Sequence, residues 1–278
     1  MSLLARSWIC LLTTGMVFWV FSMAMAEDPV FVPAKNDELL DEEFCTAVRT
    51  VIASLTNAAR KCKLEGDART EEIIRQGLAE LNLPDKYRRR AIVLGLAVAF
   101  DQGQQLRQSV LTRRFWIKYE SESENRARRK VMGTPTMNDR ADLPQHFFIA
   151  GGLVALTNPE MAEATSILKE VTDANGGSGF SYVDMGANLA GIIYATELIR
   201  QPEIPPVFTE GFEIKTFVPD LSGLAEGVML TELRNDFSLD AESRFKRVIQ
   251  AIKDRVLNLP IYHKILGPRP ASESASIK

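Results

Sequence analysis

Between Met185 and Ala195 the chain has very little polar surface. At helical spacing, Met185, Leu189, Ile192, Ile193 and Thr196 fall on one side, and Asp184, Ala187, Asn188, Gly191 and Ala195 fall along another. A helix with so little polar surface belongs inside a protein. The small residues Ala187 and Gly191, four apart, let a second backbone come close. A chain carrying this segment must surround it with other helices. Ser181 is placed to cap its start, with Asp184 three residues on and Phe180 and Met185 at the two staple positions. Pro202, Pro205 and Pro206 forbid its continuation beyond about Arg200.

The surrounding helices are marked by their own punctuation. Asp142, with Gln145 at the third helical position, predicts a helix start. Asn158 followed by Pro159 predicts another, ended by Asn175-Gly176-Gly177. Upstream, apolar spacing predicts a continuous helix over 38–63. A second, over 70–81, is introduced by Gly66-Asp67 and stopped by Asn82-Leu83-Pro84. A third, capped by Asp85, runs to about Lys118. Residues 120–141 are charged, carry Gly133 and Pro135 and show no apolar period, so they read as a loop. Phe212, Ile214 and Phe217 give at most a short extended segment within 208–219. Phe245, Val248, Ile249, Ile252 and Val256 form the stripe of a last amphipathic helix over 240–258. The expectation is an all-α fold: an extended lead-in at 27–36, one mainly helical globular domain over 37–266, and a disordered polar tail at 267–278.

The first 26 residues have the pattern of a secretory signal peptide. Arg6 precedes an apolar run from Trp8 to Met23, and Ala24-Met25-Ala26 offers a small-residue cleavage site before Glu27. The run is shorter than the roughly 20 residues of a spanning helix. No later apolar run approaches that length, so no transmembrane span is expected in the mature chain. The expected location is periplasmic or extracellular. Such a compartment permits disulfides, and Cys45 and Cys62 remain after cleavage. Cys62 ends the apolar stripe of the first helix (Leu40, Phe44, Val48, Val51, Leu55, Ala58), Cys45 lies within that helix, and only a break near Thr56-Asn57 would bring the two together. A continuous helix would hold them about 25 Å apart, whereas a disulfide needs Cα atoms within roughly 7 Å. They are expected to be free thiols. With no Cys/His cluster, a structural zinc site is not indicated.

The whole chain carries a formal charge of −3, unevenly spread. Residues 86–130 hold twelve basic and four acidic side chains. Arg88, Arg89, Arg90, Arg128, Arg129 and Lys130 are the candidates for binding an anionic envelope component. The other reading is internal pairing with acidic neighbours such as Asp41, Glu42, Glu43, Glu71 and Glu72. No nucleic-acid signature accompanies the basic residues, so that partner is not expected.

Candidate chemistry sits in 142–194. His146 lies in the first turn of its helix, where the helix dipole favours a neutral ring able to act as a base or a metal ligand. Glu170 and Asp173 share one helix face three residues apart. Asp184 and Asn188 lie on the buried helix and need partners there. Each also has a plainer account: His146 as a packing residue, Glu170 and Asp173 with Lys169 as a solvated face, and Asp184 as part of a cap.

The order His146, Lys169-Glu170-x-x-Asp173, Asp184-x-x-x-Asn188-x-x-Gly191 resembles small uncharacterised bacterial envelope proteins of the YfiM lipoprotein type. The resemblance spans 142–194. It implies a bacterial source and a set of polar residues that belong together, and it carries over no activity. This chain departs from that type in lacking a lipidated N-terminal cysteine and in its long flanking segments. Two functions follow. One is a binding or structural envelope module whose helices hold a polar network. The other is a hydrolase in which His146, Glu170 and Asp173 bind a divalent metal or share acid–base work, oriented by Asp184 and Asn188. HExxH, GxSxG, P-loop and dinucleotide-binding signatures are absent.

Overall fold

Gly191 and Gly152 set the spacing of the central helices. In the computed structural model, which describes residues 31–109, 112–236 and 244–266, a Cβ on Gly191 would run into the carbonyl oxygen of Phe147. One on Gly152 would run into the Ala97 methyl. Helix α8 (Leu143–Leu156) therefore lies almost backbone to backbone on α10 (Tyr182–Arg200) at one side. At its other side it packs against α4 (Asp85–Phe100). The row continues outward through α2 (Glu42–Lys61) to α3 (Gly66–Leu78). Beyond α10 stand α9 (Pro159–Ala174) and α13 (Arg244–Leu257). As the sequence pattern required, α10 is buried along nearly its whole length.

The fold is all-α. Shorter helices complete it: α1 (Asn36–Leu40), α5 (Gln105–Gln108), α6 (Arg113–Tyr119), α7 (Glu122–Met132), α11 (Ile214–Phe217), α12 (Leu230–Asp236) and α14 (Pro260–Leu266). Among the described residues there is no strand, only the isolated bridges Gly66–Pro135, Met137–Arg140 and Phe180–Val228. The main apolar core lies between α2, α4, α8 and α10. A smaller cluster joins α9, the start of α10, α12 and α13 through Ile167, Phe180, Met185, Leu233, Phe245 and Ile249. The expected stripe of α13 is the buried one, with Val248 at its margin. The signal pattern at 1–26, the tail at 267–278 and residues 240–243 of the last expected helix lie outside the described residues.

Several boundaries differ from expectation, each for a local reason. The expected 38–63 helix is divided at Asp41, whose carboxylate accepts from the Glu43 and Phe44 N–H groups and restarts the chain as α2. Cys45 and Cys62 are free, as helical spacing demanded. The expected 85–118 helix ends at Phe100. There Asp101 turns back and accepts from the N–H groups of Gln105 and Leu106, at 2.9 and 3.1 Å. Gln104, in the left-handed region, carries the turn.

The loop expected over 120–141 contains helix α7. The residues it buries are Asn125, Arg128 and Met132, only the last of them apolar, so an apolar period could not reveal it. The extended segment expected within 208–219 is instead a 3₁₀ turn (Pro206–Phe208) and α11. Phe208, Phe212 and Phe217 turn inward together and pack on Tyr194.

Candidate functional site

Three helix ends and one loop converge on His146. The first turn of α8 carries His146, the last turns of α9 carry Lys169, Glu170 and Asp173, and the first two turns of α10 carry Asp184 and Asn188. The caps that start these helices are largely those the sequence indicates. Asn158 accepts from the Met161 N–H at 2.8 Å, and Ser181 Oγ from the Asp184 N–H at 3.0 Å. Asp142 differs. Its side chain makes no cap and is taken instead by Arg140, at 2.6 and 3.1 Å. Gln145 turns away to accept from the Gly103 N–H.

The imidazole lies between oxygens. Nδ1 is 3.3 Å from Asn188 Oδ1 and 3.9 Å from Glu170 Oε1, while Nε2 is 3.3 Å from Asp184 Oδ2. His146, Glu170 and Asn188 are buried, and Asp184 is nearly so. One potential ligand atom from each of His146, Glu170 and Asp184 lies within 4.8 Å of the others. Asp173, expected with them, is not in that group. It is a third exposed and accepts from Lys169 Nζ at 3.0 Å. Its place beside His146 is taken by Asp184, which the sequence placed one step further out.

Charge partners surround the centre. Lys169 donates to Glu170 at 2.8 Å, and the Ser181 N–H reaches the other oxygen of Glu170 at 3.4 Å. Burial still pushes the Glu170 carboxyl above its ordinary value, outweighing Lys169. Burial opposes the Lys169 ammonium too, but Glu170 and Asp173 prevail and raise its pKa. Arg140 bonds Asp142, Asp184 and Glu226 at once, and holds Asp142 below the usual carboxylate range. Glu226 in turn accepts from Ser181 Oγ. Sequence reasoning missed Arg140 and Glu226. Arg140 sits just before a marked helix start, and nothing in the local pattern around Glu226 signals its role.

The basic stretch is largely engaged within the protein. Of the acidic neighbours named from sequence, Asp41 is reached by Lys86 through the Tyr87 hydroxyl, and Arg88, Arg89, Arg90 and Arg128 bond different groups. Arg128 is fully buried, so it is not part of any anion-binding surface. Its guanidinium bonds Glu120 and the Ala99 carbonyl. Arg88 bonds Asp85 and the Leu83 carbonyl, and Arg89 the Pro202 carbonyl. Arg90 bonds the Ala155 and Val32 carbonyls and stacks on Phe31. Arg129 is partly buried, and Lys130 is exposed.

No family model, curated protein or solved structure matches this chain.

Proposed function

We propose that this chain is an exported helical envelope module with a binding or structural role, whose helices over 142–194 hold a polar network. The observation that carries this reading is the convergence of two ion-paired groups on His146. Lys169 joins Glu170 and Asp173, Arg140 joins Asp142, Asp184 and Glu226, and His146 lies between the two groups, 3.9 Å from Glu170 and 3.3 Å from Asp184. Three helix ends are tied by side chains that would be costly to leave unpaired. The pattern of residues 1–26 supports export, and the resemblance over 142–194 supports an envelope location.

The hydrolase reading keeps one supporting observation, the 3.9 Å approach of the Glu170 carboxylate to the imidazole. It loses Asp173, which pairs with Lys169 and lies outside the cluster around His146. Denaturation of His146→Gln and Asn188→Ala variants in chelator-treated buffer separates the readings. A network that holds helices together loses about 1–3 kcal/mol when a buried partner goes. Variants as stable as the parent, or more stable, would indicate residues retained for chemistry at the expense of stability and would overturn the proposal.

A further inference from the structure

We propose that His146, Glu170 and Asp184 form a binding site for one divalent first-row cation of the zinc type, with Asn188 orienting the imidazole. The inference rests on reading 142–194 as the binding part of the module and gives that part a ligand.

The ring carries the argument. A neutral imidazole has one N–H and one lone pair. In the tautomer that carries its hydrogen on Nδ1, that hydrogen goes to Asn188 Oδ1, 3.3 Å away. The Nε2 lone pair then points at Asp184 Oδ2, 3.3 Å away, where two acceptors meet with nothing between them. Such a contact calls for a positive centre. Two donors each about 2.0–2.1 Å from a tetrahedral zinc stand about 3.3 Å apart, so the Nε2–Asp184 pair already has the required bite.

Glu170 completes three protein ligands. One ligand atom from each of the three residues lies within 4.8 Å of the others, and Glu170 Oε1, 3.9 Å from Nδ1, reaches the Nε2 side by a side-chain shift away from Lys169. One imidazole nitrogen with two carboxylates suits a divalent transition metal better than calcium or magnesium, which prefer oxygen alone.

Local charge points the same way. Five carboxylates, Asp142, Glu170, Asp173, Asp184 and Glu226, are linked to only two fixed cations, Arg140 and Lys169. Three negative charges are left over with the ring neutral, and a divalent ion offsets most of them. The outer contacts are those that metal ligands keep. Arg140 holds the other oxygen of Asp184, the Ser181 N–H faces the other oxygen of Glu170, and Asn188 fixes the tautomer.

The experiment uses the purified protein, stripped with chelator and then titrated with Zn²⁺ or Co²⁺ at neutral pH. Metal content after dialysis, the Tm and the Co²⁺ visible spectrum are followed. The expected result is one equivalent bound, a rise in Tm that grows with metal concentration, and a Co²⁺ spectrum of low coordination number. His146→Gln and Asp184→Asn, checked for native helix content, lose the metal, and Asn188→Ala weakens it about 10–100-fold.

Failure of the parent protein to retain metal overturns the site, as does retention by both His146→Gln and Asp184→Asn. If the stripped protein binds neither Zn²⁺ nor Co²⁺ yet loses stability on His146→Gln, the His146–Asp184 contact serves the fold alone. That outcome overturns the metal and leaves the network reading intact. The network reading fails on a separate measurement, the metal-free stability of the variants.

Discussion

Arg128 and Glu120 form a forked ion pair, both fully buried: Nε donates to one carboxylate oxygen at 2.7 Å and Nη2 to the other at 3.1 Å. Asn125 Nδ2 adds a third bond at 2.9 Å, and the remaining guanidinium edge reaches the Ala99 carbonyl in the last turn of α4. The pair fixes α7 across the end of α4, where an apolar contact would otherwise be expected.

Removing one partner of such a pair strands a charge in the interior. Glu120→Ala is expected to cost about 3–5 kcal/mol, read as a lower denaturant midpoint. A double variant, Glu120→Leu with Arg128→Met, removes both charges and should recover most of that loss. If the double variant is as unstable as the single one, stranded charge is not the cause.

The contact of α8 with α10 leaves no room for a methyl group. Gly191→Ala drives a Cβ into the Phe147 carbonyl oxygen, and both atoms belong to helix backbone that cannot swing aside. The helices must part, and a loss of about 3 kcal/mol is expected, the upper end for an overpacked core. Urea denaturation measures it. A loss within 0.5 kcal/mol, roughly that of an ordinary surface change, would show that the two helices separate cheaply.

How much of this was legible in the sequence depended on what each residue packs against. The burial of α10 followed from how little polar surface it has between Met185 and Ala195, and Asn158 and Ser181 cap as their positions indicate. Helix α7 escaped because its inner residues are Asn125 and Arg128. The signal that could have found it was Ser121-x-x-Glu124, a capping box present in the structure. His146 and Glu170 are brought together, while Asp184 replaces Asp173. Which of two acidic residues turns inward depends on how α9 crosses α8 and α10. That crossing is set by contacts far apart in the chain, which local spacing does not record.

Stability should respond to pH through two carboxyls of opposite sign. Burial raises the Glu170 carboxyl above its ordinary 4.5. Its contribution is therefore fully present below that value and is lost as the pH rises through the folded-state pKa. Arg140 holds Asp142 below its ordinary 3.8. That contribution is present above 3.8 and is lost as the pH falls through the folded-state pKa. In chelator-containing buffer, Tm against pH should therefore decline from mildly acid toward neutral, and Glu170→Gln should flatten that decline. Asp142→Asn should flatten the acid limb instead. Identical slopes for the parent and Glu170→Gln between about pH 4.5 and 7 would mean that Glu170 binds its proton no more tightly folded than unfolded.

Arg140 ties the segment after α11 to the start of α10. It bonds Glu226 as well as Asp142 and Asp184, and Glu226 also accepts from the Ser181 hydroxyl. The same segment is held further along by the paired backbone bonds between Phe180 and Val228, at 2.8 and 3.0 Å. Arg140 is partly exposed, so Arg140→Gln should cost only about 1 kcal/mol overall. Its effect should instead be local. Residues 222–227 are held to the site by Glu226 and by the Tyr182 N–H on the Ala225 carbonyl, and they should open more often without Arg140. Hydrogen exchange is expected to speed up there while the amides of Phe180 and Val228 change less. Uniform acceleration across both places would show that Arg140 supports the whole fold. No acceleration at 222–227 would show that the backbone pairing alone holds the segment over the site.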